Sequence, residues 1–278
     1  MKQPTPFYSL LAFFLLLTSF LRAQVPAANQ PLAFATTPDP APYHFQRSLP
    51  TDPYLLALRD TYQLDKLVAG QPTDLARVQA VCTWVHRQWK HSSYRQPQNW
   101  DPASILQEAA QGKSFRCVEY GIVLEGTLAA VGIPARVLGL QTADVETRKS
   151  GAGHVLTEAW LADQQKWVLV DGQWDVIPLL HGTALNAVEL QQALAVRSPG
   201  LSVLSVAGTS AKKYARWIRP YLFYFGVSFD SRIGGKKVPG ELMLVPLGAK
   251  NPTVFQRRYP IQNTTYTHSL VSFYAPPQ

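Results

Sequence analysis

The chain has 278 residues, 46% of them hydrophobic and 16% charged, with a formal net charge of +8. This composition is ordinary for a globular protein and excludes disorder throughout, and the length suits one good-sized core or a domain with extensions. The basic residues are scattered, with only small groups such as Lys212-Lys213, Lys236-Lys237 and Arg257-Arg258. They make no nucleic-acid footprint and describe a mildly basic surface, read first as solubilising and second as favouring anionic surroundings such as cell-envelope polymers.

Residues 1–23 stand apart. Lys2 supplies a positive start, Phe7 to Leu21 is an almost unbroken apolar run, and Arg22-Ala23 ends it at a small residue. This reads as a secretory signal peptide, although Leu21 fits the small-residue rule at the minus-three position imperfectly. The run is short of the ~20 residues a spanning helix needs. No second run of that length follows, so no membrane span is expected once the signal is removed. Removal takes Lys2 and Arg22 with it and lowers the formal charge from +8 to +6.

Three further regions are expected. Residues 24–72 form a leader: Pro26, Pro31, Pro38, Pro40, Pro42 and Pro50 lie among few periodic apolar positions, as in an extended segment that stays mobile until it meets the core. Helical spacing follows weakly at Leu55, Leu58 and Tyr62. Residues 73–178 form the core. Thr73 can cap a helix carrying Leu75, Val78, Val81, Cys82 and Val85 on one stripe and fading near His91. Asp101-Pro102 restarts a helix that Gly112 can stop. A third helix begins at or just before Cys117, carries Tyr120, Val123, Leu124, Leu128 and Val131, and ends at Gly132 and Pro134.

Ala135 to Leu140 then reads as a buried strand. His154 to Leu161 and Trp167 to Asp171 read as two antiparallel neighbours joined by a loop of hairpin length. Strand alternation puts His154, Leu156 and Glu158 on one face, and likewise Trp167, Leu169 and Asp171. Residues 179–278 form a C-terminal extension expected to pack on the core. It has helices around Leu185 to Val196 and Ala211 to Arg219, and strand-like runs at Tyr221 to Phe229, Glu241 to Leu247 and Thr264 to Tyr274.

A cysteine at a helix start, a histidine on one strand and an acid ending the next can make and break amides. The helix dipole and free N–H groups stabilise a thiolate at Cys117. An imidazole can hold the ion pair and later protonate the leaving amine, and a carboxylate on its far nitrogen fixes the ring. His154 and Asp171 sit where adjacent strands could deliver both roles.

These residues resemble the transglutaminase-like superfamily over roughly residues 73–178. The matching text is Cys117-Val118-Glu119-Tyr120, Val131-Gly132-Ile133-Pro134-Ala135-Arg136-Val137, His154 with Glu158 four on, and Trp167-Val168-Leu169-Val170-Asp171. The resemblance implies an α+β, papain-like fold. It also implies Cys117 as nucleophile, His154 as base and acid, Asp171 as orienting carboxylate, a protein or peptide substrate, and no cofactor or metal. The acceptor stays open: water makes a protease or amidase, the side slightly favoured by analogy, and an amine makes a transglutaminase. A catalytically silent binding module is the competing class. The chain departs from the family at Phe115, where many members carry glycine.

Other assignments also stay open. Cys82 and Cys117 are the only cysteines, and one disulfide is the default for a pair in an exported chain. Asp171 precedes Gly172 as a turn residue would, with Asp175 as the substitute acid. The backbone N–H of Cys117 is the obvious oxyanion donor, and Trp100, Gln107 and Gln111 are candidates for a second. Cys82 and His86, one turn apart, could make half of a metal site, though core packing explains them better. Glu158 reads as a structural hydrogen-bond acceptor, and Arg136 as pairing with a carboxylate of the core. The aromatic run from Tyr214 to Phe229 could line a substrate groove, with core of the extension the favoured reading.

Overall fold

The computed structural model describes residues 30–234 and 236–277, so the signal-peptide expectation for residues 1–23 lies outside the described residues. In chain order, β1 (Gln46–Arg47) precedes five helices: α1 (Pro53–Thr61), α2 (Leu64–Val68), α3 (Asp74–His86), α4 (Pro102–Ala110) and α5 (Cys117–Ala130). Then come β2 (Ala135–Gln141), β3 (Gly153–Leu161), β4 (Lys166–Val170), β5 (Ile177–Leu180), β6 (Thr183–Ala184), α6 (Ala187–Ala195), β7 (Leu201–Leu204) and α7 (Ala211–Ile218). The chain closes with β8 (Tyr224–Ser228), β9 (Asp230–Ser231), β10 (Glu241–Leu244), β11 (Val254–Phe255), β12 (Tyr259–Pro260), β13 (Thr264–Thr267) and α8 (Leu270–Phe273).

The core helices start and stop on local chemistry. Thr73 accepts from the Ala76 N–H at 3.1 Å, and Asp101 accepts from Ser104 at 3.0 Å with Pro102 opening α4. At α5 the Glu119 carboxylate accepts the Arg116 N–H at 2.9 Å and pairs with its guanidinium at 2.7 Å. Gly112 and Gly132 take left-handed φ values of +86° and +81° after α4 and α5, as helix stops require. Helix α3 ends at His86, five residues short of the expected fade at His91.

A six-stranded sheet in the order β13-β10-β8-β2-β3-β4 divides the molecule, antiparallel throughout except for the parallel β10–β13 pair. The architecture is α+β, as expected. On one face α5 presses Gly121 against Val137 and Val155, and α1, α3 and α4 surround it. Any side chain at Gly121 would meet Val155 at 3.1 Å, so the helix approaches this closely because the residue is glycine. On the other face Leu138, Leu140, Leu156 and Leu169 pack with α6, α7 and β8. Alternation along β3 and β4 sorts these residues between two cores.

The extension goes further than packing on the core: β8, β10 and β13 supply half of the strands of the central sheet. Thr264 to Tyr274 is not one strand. It pairs only to Thr267, after which Ser269 caps α8 by accepting from Ser272 at 3.1 Å. A second sheet, β6-β5-β7, goes unmarked in the sequence because its strands are too short for alternation to be visible.

The described part of the leader has met the core. Leu32 is 2% exposed and its N–H donates to Gln191 Oε1 at 3.0 Å. Ala33 accepts from Leu247 at 2.8 Å, and β1 pairs in parallel with β9. Isolated apolar residues between prolines carry no periodic signal, yet an extended chain can bury them singly and bond through its backbone.

Arg136 and Glu158 face each other across β2 and β3 and form a buried ion pair at 2.6 Å. Glu158 also accepts from the Ala187 N–H at 3.2 Å and the Tyr274 hydroxyl at 3.0 Å, while Trp167, Phe273 and Tyr274 surround the guanidinium. Both residues thus have the structural roles their positions suggested. No helix among the described residues is long and apolar enough to cross a membrane.

Candidate active site

The site lies where α5 begins, β3 begins and β4 ends. Cys117 is the first residue of α5, where N–H groups have no intrahelical partner. His154 stands at the start of β3, and Asp171 follows the last residue of β4. Register explains how the last two meet. Thr157 is opposite Val170, so Asp171 continues the ladder opposite Leu156 and shares a face with His154 two residues away.

The His154 Nε2 to Asp171 Oδ2 distance is 2.9 Å, and both residues are buried. Nδ1 is the ring nitrogen left for Cys117. Burial pulls the imidazole pKa down, but the Asp171 carboxylate and the adjacent Cys117 more than reverse this, lifting it from 6.5 to about 9. The ring is therefore held as imidazolium at neutral pH.

Asp171 is both turn residue and histidine partner. Oδ1 accepts from the N–H groups of Gln173 at 3.1 Å and Trp174 at 3.3 Å, and Oδ2 is left for His154 and for the Tyr214 hydroxyl at 3.0 Å. Asp175 is not the partner of His154. It accepts from Thr83 Oγ1 at 2.7 Å, Gln79 Nε2 at 3.0 Å and the Ala207 N–H at 2.7 Å, tying α3 to the segment after β7.

Cys82 and Cys117 are both free, so there is no disulfide between them. Cys82 is buried and its Sγ lies 3.7 Å from the Asp171 carbonyl, while His86 Nδ1 is 3.1 Å from the Gly172 carbonyl. Both side chains of that stripe thus hold the turn after β4. Burial, reinforced by Asp175, pushes the Cys82 thiol well above its usual range. Cys117 is half-buried.

Phe115 turns its ring away into the helical core. It is 0% exposed and meets the Trp89 ring edge-on, with centroids 5.7 Å apart. Its carbonyl accepts from Ser92 at 2.7 Å, and the Tyr120 hydroxyl donates to the Trp89 carbonyl at 2.7 Å, so the segment after α3 is pinned beside the start of α5. His91, on this segment, is exposed. Partial desolvation of its ring, then the nearby charge of His154, lowers its pKa although its surface is open to solvent. Trp100 is also exposed, under the Arg116 guanidinium at 5.3 Å, and Gln107 and Gln111 lie on the outer surface of the α4 region.

The aromatic run is only partly core. Phe223 and Phe225 are buried, but Trp217 meets the His154 ring edge-on at 4.6 Å and Tyr221 lies 6.0 Å from it. Tyr214 and Trp217 lie three residues apart on α7, while Tyr221, expected in a strand, sits in the turn after that helix and the strand begins only at Tyr224. Nothing in the sequence said that these rings meet His154.

Residues 62–172 match the family model described as the transglutaminase-like superfamily. Among solved structures, the chain is similar to a candidate cysteine protease from Cytophaga hutchinsonii, at 12% identity and a TM-score of 0.35, covering 54% of this chain and 47% of that one. It is similar to red sea bream transglutaminase at 15% identity and a TM-score of 0.31, covering 43% and 25% of the two chains. Calcium-bound LapG of Legionella pneumophila matches at 13% identity and a TM-score of 0.33, covering 56% and 88%. The chain thus spans less than half the length of the first two. No curated protein matches its sequence.

Proposed function

We propose that this chain, whose residues 62–172 carry a transglutaminase-like core, is an exported thiol enzyme acting on peptide or glutamine amides. The observation that carries the reading is the buried Asp171–His154 pair, 2.9 Å apart beside a free cysteine at a helix N-terminus. Export rests on the apolar segment at residues 1–23.

In this reading the Cys117 thiolate attacks the amide carbon, and the backbone N–H of Cys117 faces the developing oxyanion. The C–N bond breaks as the His154 imidazolium gives its proton to the departing amine or ammonia, leaving a thioester on Cys117. Water or a primary amine then adds to the thioester, losing a proton to His154, and the C–S bond breaks to restore the ion pair. Asp171 keeps the imidazolium oriented through both halves. Hydrolysis is slightly favoured over transamidation.

The test is incubation with glutamine-rich peptides, with and without a biotinylated primary amine, read by mass spectrometry. Cleavage or deamidation supports hydrolysis, and amine incorporation supports transamidation, provided Cys117→Ala abolishes either. No product from the wild-type chain under any condition favours the silent binding module.

A further inference from the structure

On the sheet face that carries α5, a groove of about 370 Å³ opens beside the helix. Its floor has no side chains where Gly139 of β2 pairs with Gly226 of β8. Val137 and Val155 bound it toward α5, Pro239, Gly240 and Glu241 on the far side, and Gln262 and Asn263 beyond. Val155 links the groove to the site: it follows His154 in β3 and abuts Gly121, one helical turn from Cys117.

Two groups in this groove have no partner among the described residues, and one of them is fully buried. The Glu241 carboxylate lies over Gly226, in the space a side chain there would fill, and among the described residues no hydrogen bond or ion pair reaches it. Gln141 Oε1, from β2 across the same groove, is buried without a donor. Ser228 is already engaged with the Asp230 and Gly240 carbonyls. Burial without a counter-ion raises the Glu241 pKa to about 7. The ionisable neighbour it perturbs is the Tyr266 phenol on β13. A lone half-buried carboxylate in a chain of net charge +8 is costly to keep unless something cationic arrives to meet it.

We infer that this groove receives an alkylammonium group of the substrate, held by Glu241 and Gln141 Oε1 while the reacting carbonyl lies at Cys117. The inference rests on the acyl-transfer reading above. The same chemistry has two sources: a basic residue flanking the acyl donor, or the far ammonium of a diamine acceptor. Each places a donor-rich cation against a carboxylate without a counter-ion and a buried carbonyl without a donor.

Binding is tested without turnover by titrating pentylamine, and 1-pentanol as neutral control, into the full chain carrying Cys117→Ala, at pH 8. Saturable binding of pentylamine but not pentanol is expected. Adding Glu241→Gln, nearly isosteric, should weaken it about tenfold or more, as for loss of one charge-assisted bond. Unchanged circular dichroism and melting cooperativity show that the variant is folded. Equal affinity with and without Glu241→Gln, or pentanol binding as well as pentylamine, overturns the proposal. In the active chain, Glu241→Gln raising KM for a lysine-bearing donor over its norleucine counterpart assigns the donor, and raising it for 1,5-diaminopentane assigns the acceptor. A chain that binds pentylamine through Glu241 yet turns over no peptide leaves this site standing and removes the enzyme reading instead.

Discussion

The Tyr214 hydroxyl donates to Asp171 Oδ2 at 3.0 Å, the same oxygen that His154 Nε2 approaches at 2.9 Å. Tyr214 comes from α7, beyond the matched segment, and reaches the acid from the far core. With Oδ1 held by the Gln173 and Trp174 N–H groups, the carboxylate has no freedom to rotate away from the imidazole.

Tyr214→Phe should therefore loosen Asp171 without unfolding the chain. One hydrogen bond to a charged group is worth about 1.5–3 kcal/mol, and its loss should lower acyl transfer several-fold with little change in KM. The loss should also move the His154 titration. A melting temperature that falls while kcat and the titration stay fixed would give Tyr214 a purely structural role.

Phe115 lies two residues before Cys117, and its ring is fully buried against Trp89. Phe115→Ala should cost about 3–5 kcal/mol of stability, the usual range for emptying a buried aromatic site. Chemical denaturation measures it. A variant as stable as the wild type, labelled faster at Cys117, would mean instead that the ring obstructs the thiol.

The pH dependence follows from His154. Its folded pKa of about 9 lies above the ordinary 6.5, with Asp171 and then Cys117 outweighing burial. The imidazolium's contribution to stability is thus complete below pH 6.5 and lost as pH rises through about 9. Ring nitrogen shifts followed by NMR should show imidazolium persisting at pH 8. Cys117→Ala should bring the transition to lower pH. A ring that is neutral at pH 7.5 in the wild-type chain contradicts the ion pair.

Cys117, His154 and Asp171 were legible because each announces itself locally, by a helix start, strand alternation and a strand end. What the sequence could not show lies between segments. Tyr214 and Trp217 have helical spacing, but that they and Tyr221 meet Asp171 and His154 depends on how α7 docks. Gly139 and Gly226 become a bare floor only when β2 and β8 pair, so the isolation of Glu241 is invisible beforehand. Leu32 and Phe34 gave no periodic signal because each is buried alone in an extended segment. Asp171 posed a choice between turn residue and histidine partner that had no single answer, since its two oxygens do both.

The central claim is that His154 holds Cys117 as a reactive thiolate, and iodoacetamide at neutral pH tests it most directly. Cys82, buried with its thiol pKa pushed well up, serves as the internal slow standard. An ordinary cysteine is only a few per cent thiolate at pH 7, so the ion pair should speed labelling about tenfold or more over a free thiol. The account predicts one fast-labelled cysteine, lost in Cys117→Ala and slowed to the rate of an ordinary thiol in a folded His154→Ala variant. A rate at Cys117 that does not change when His154 is removed would contradict it.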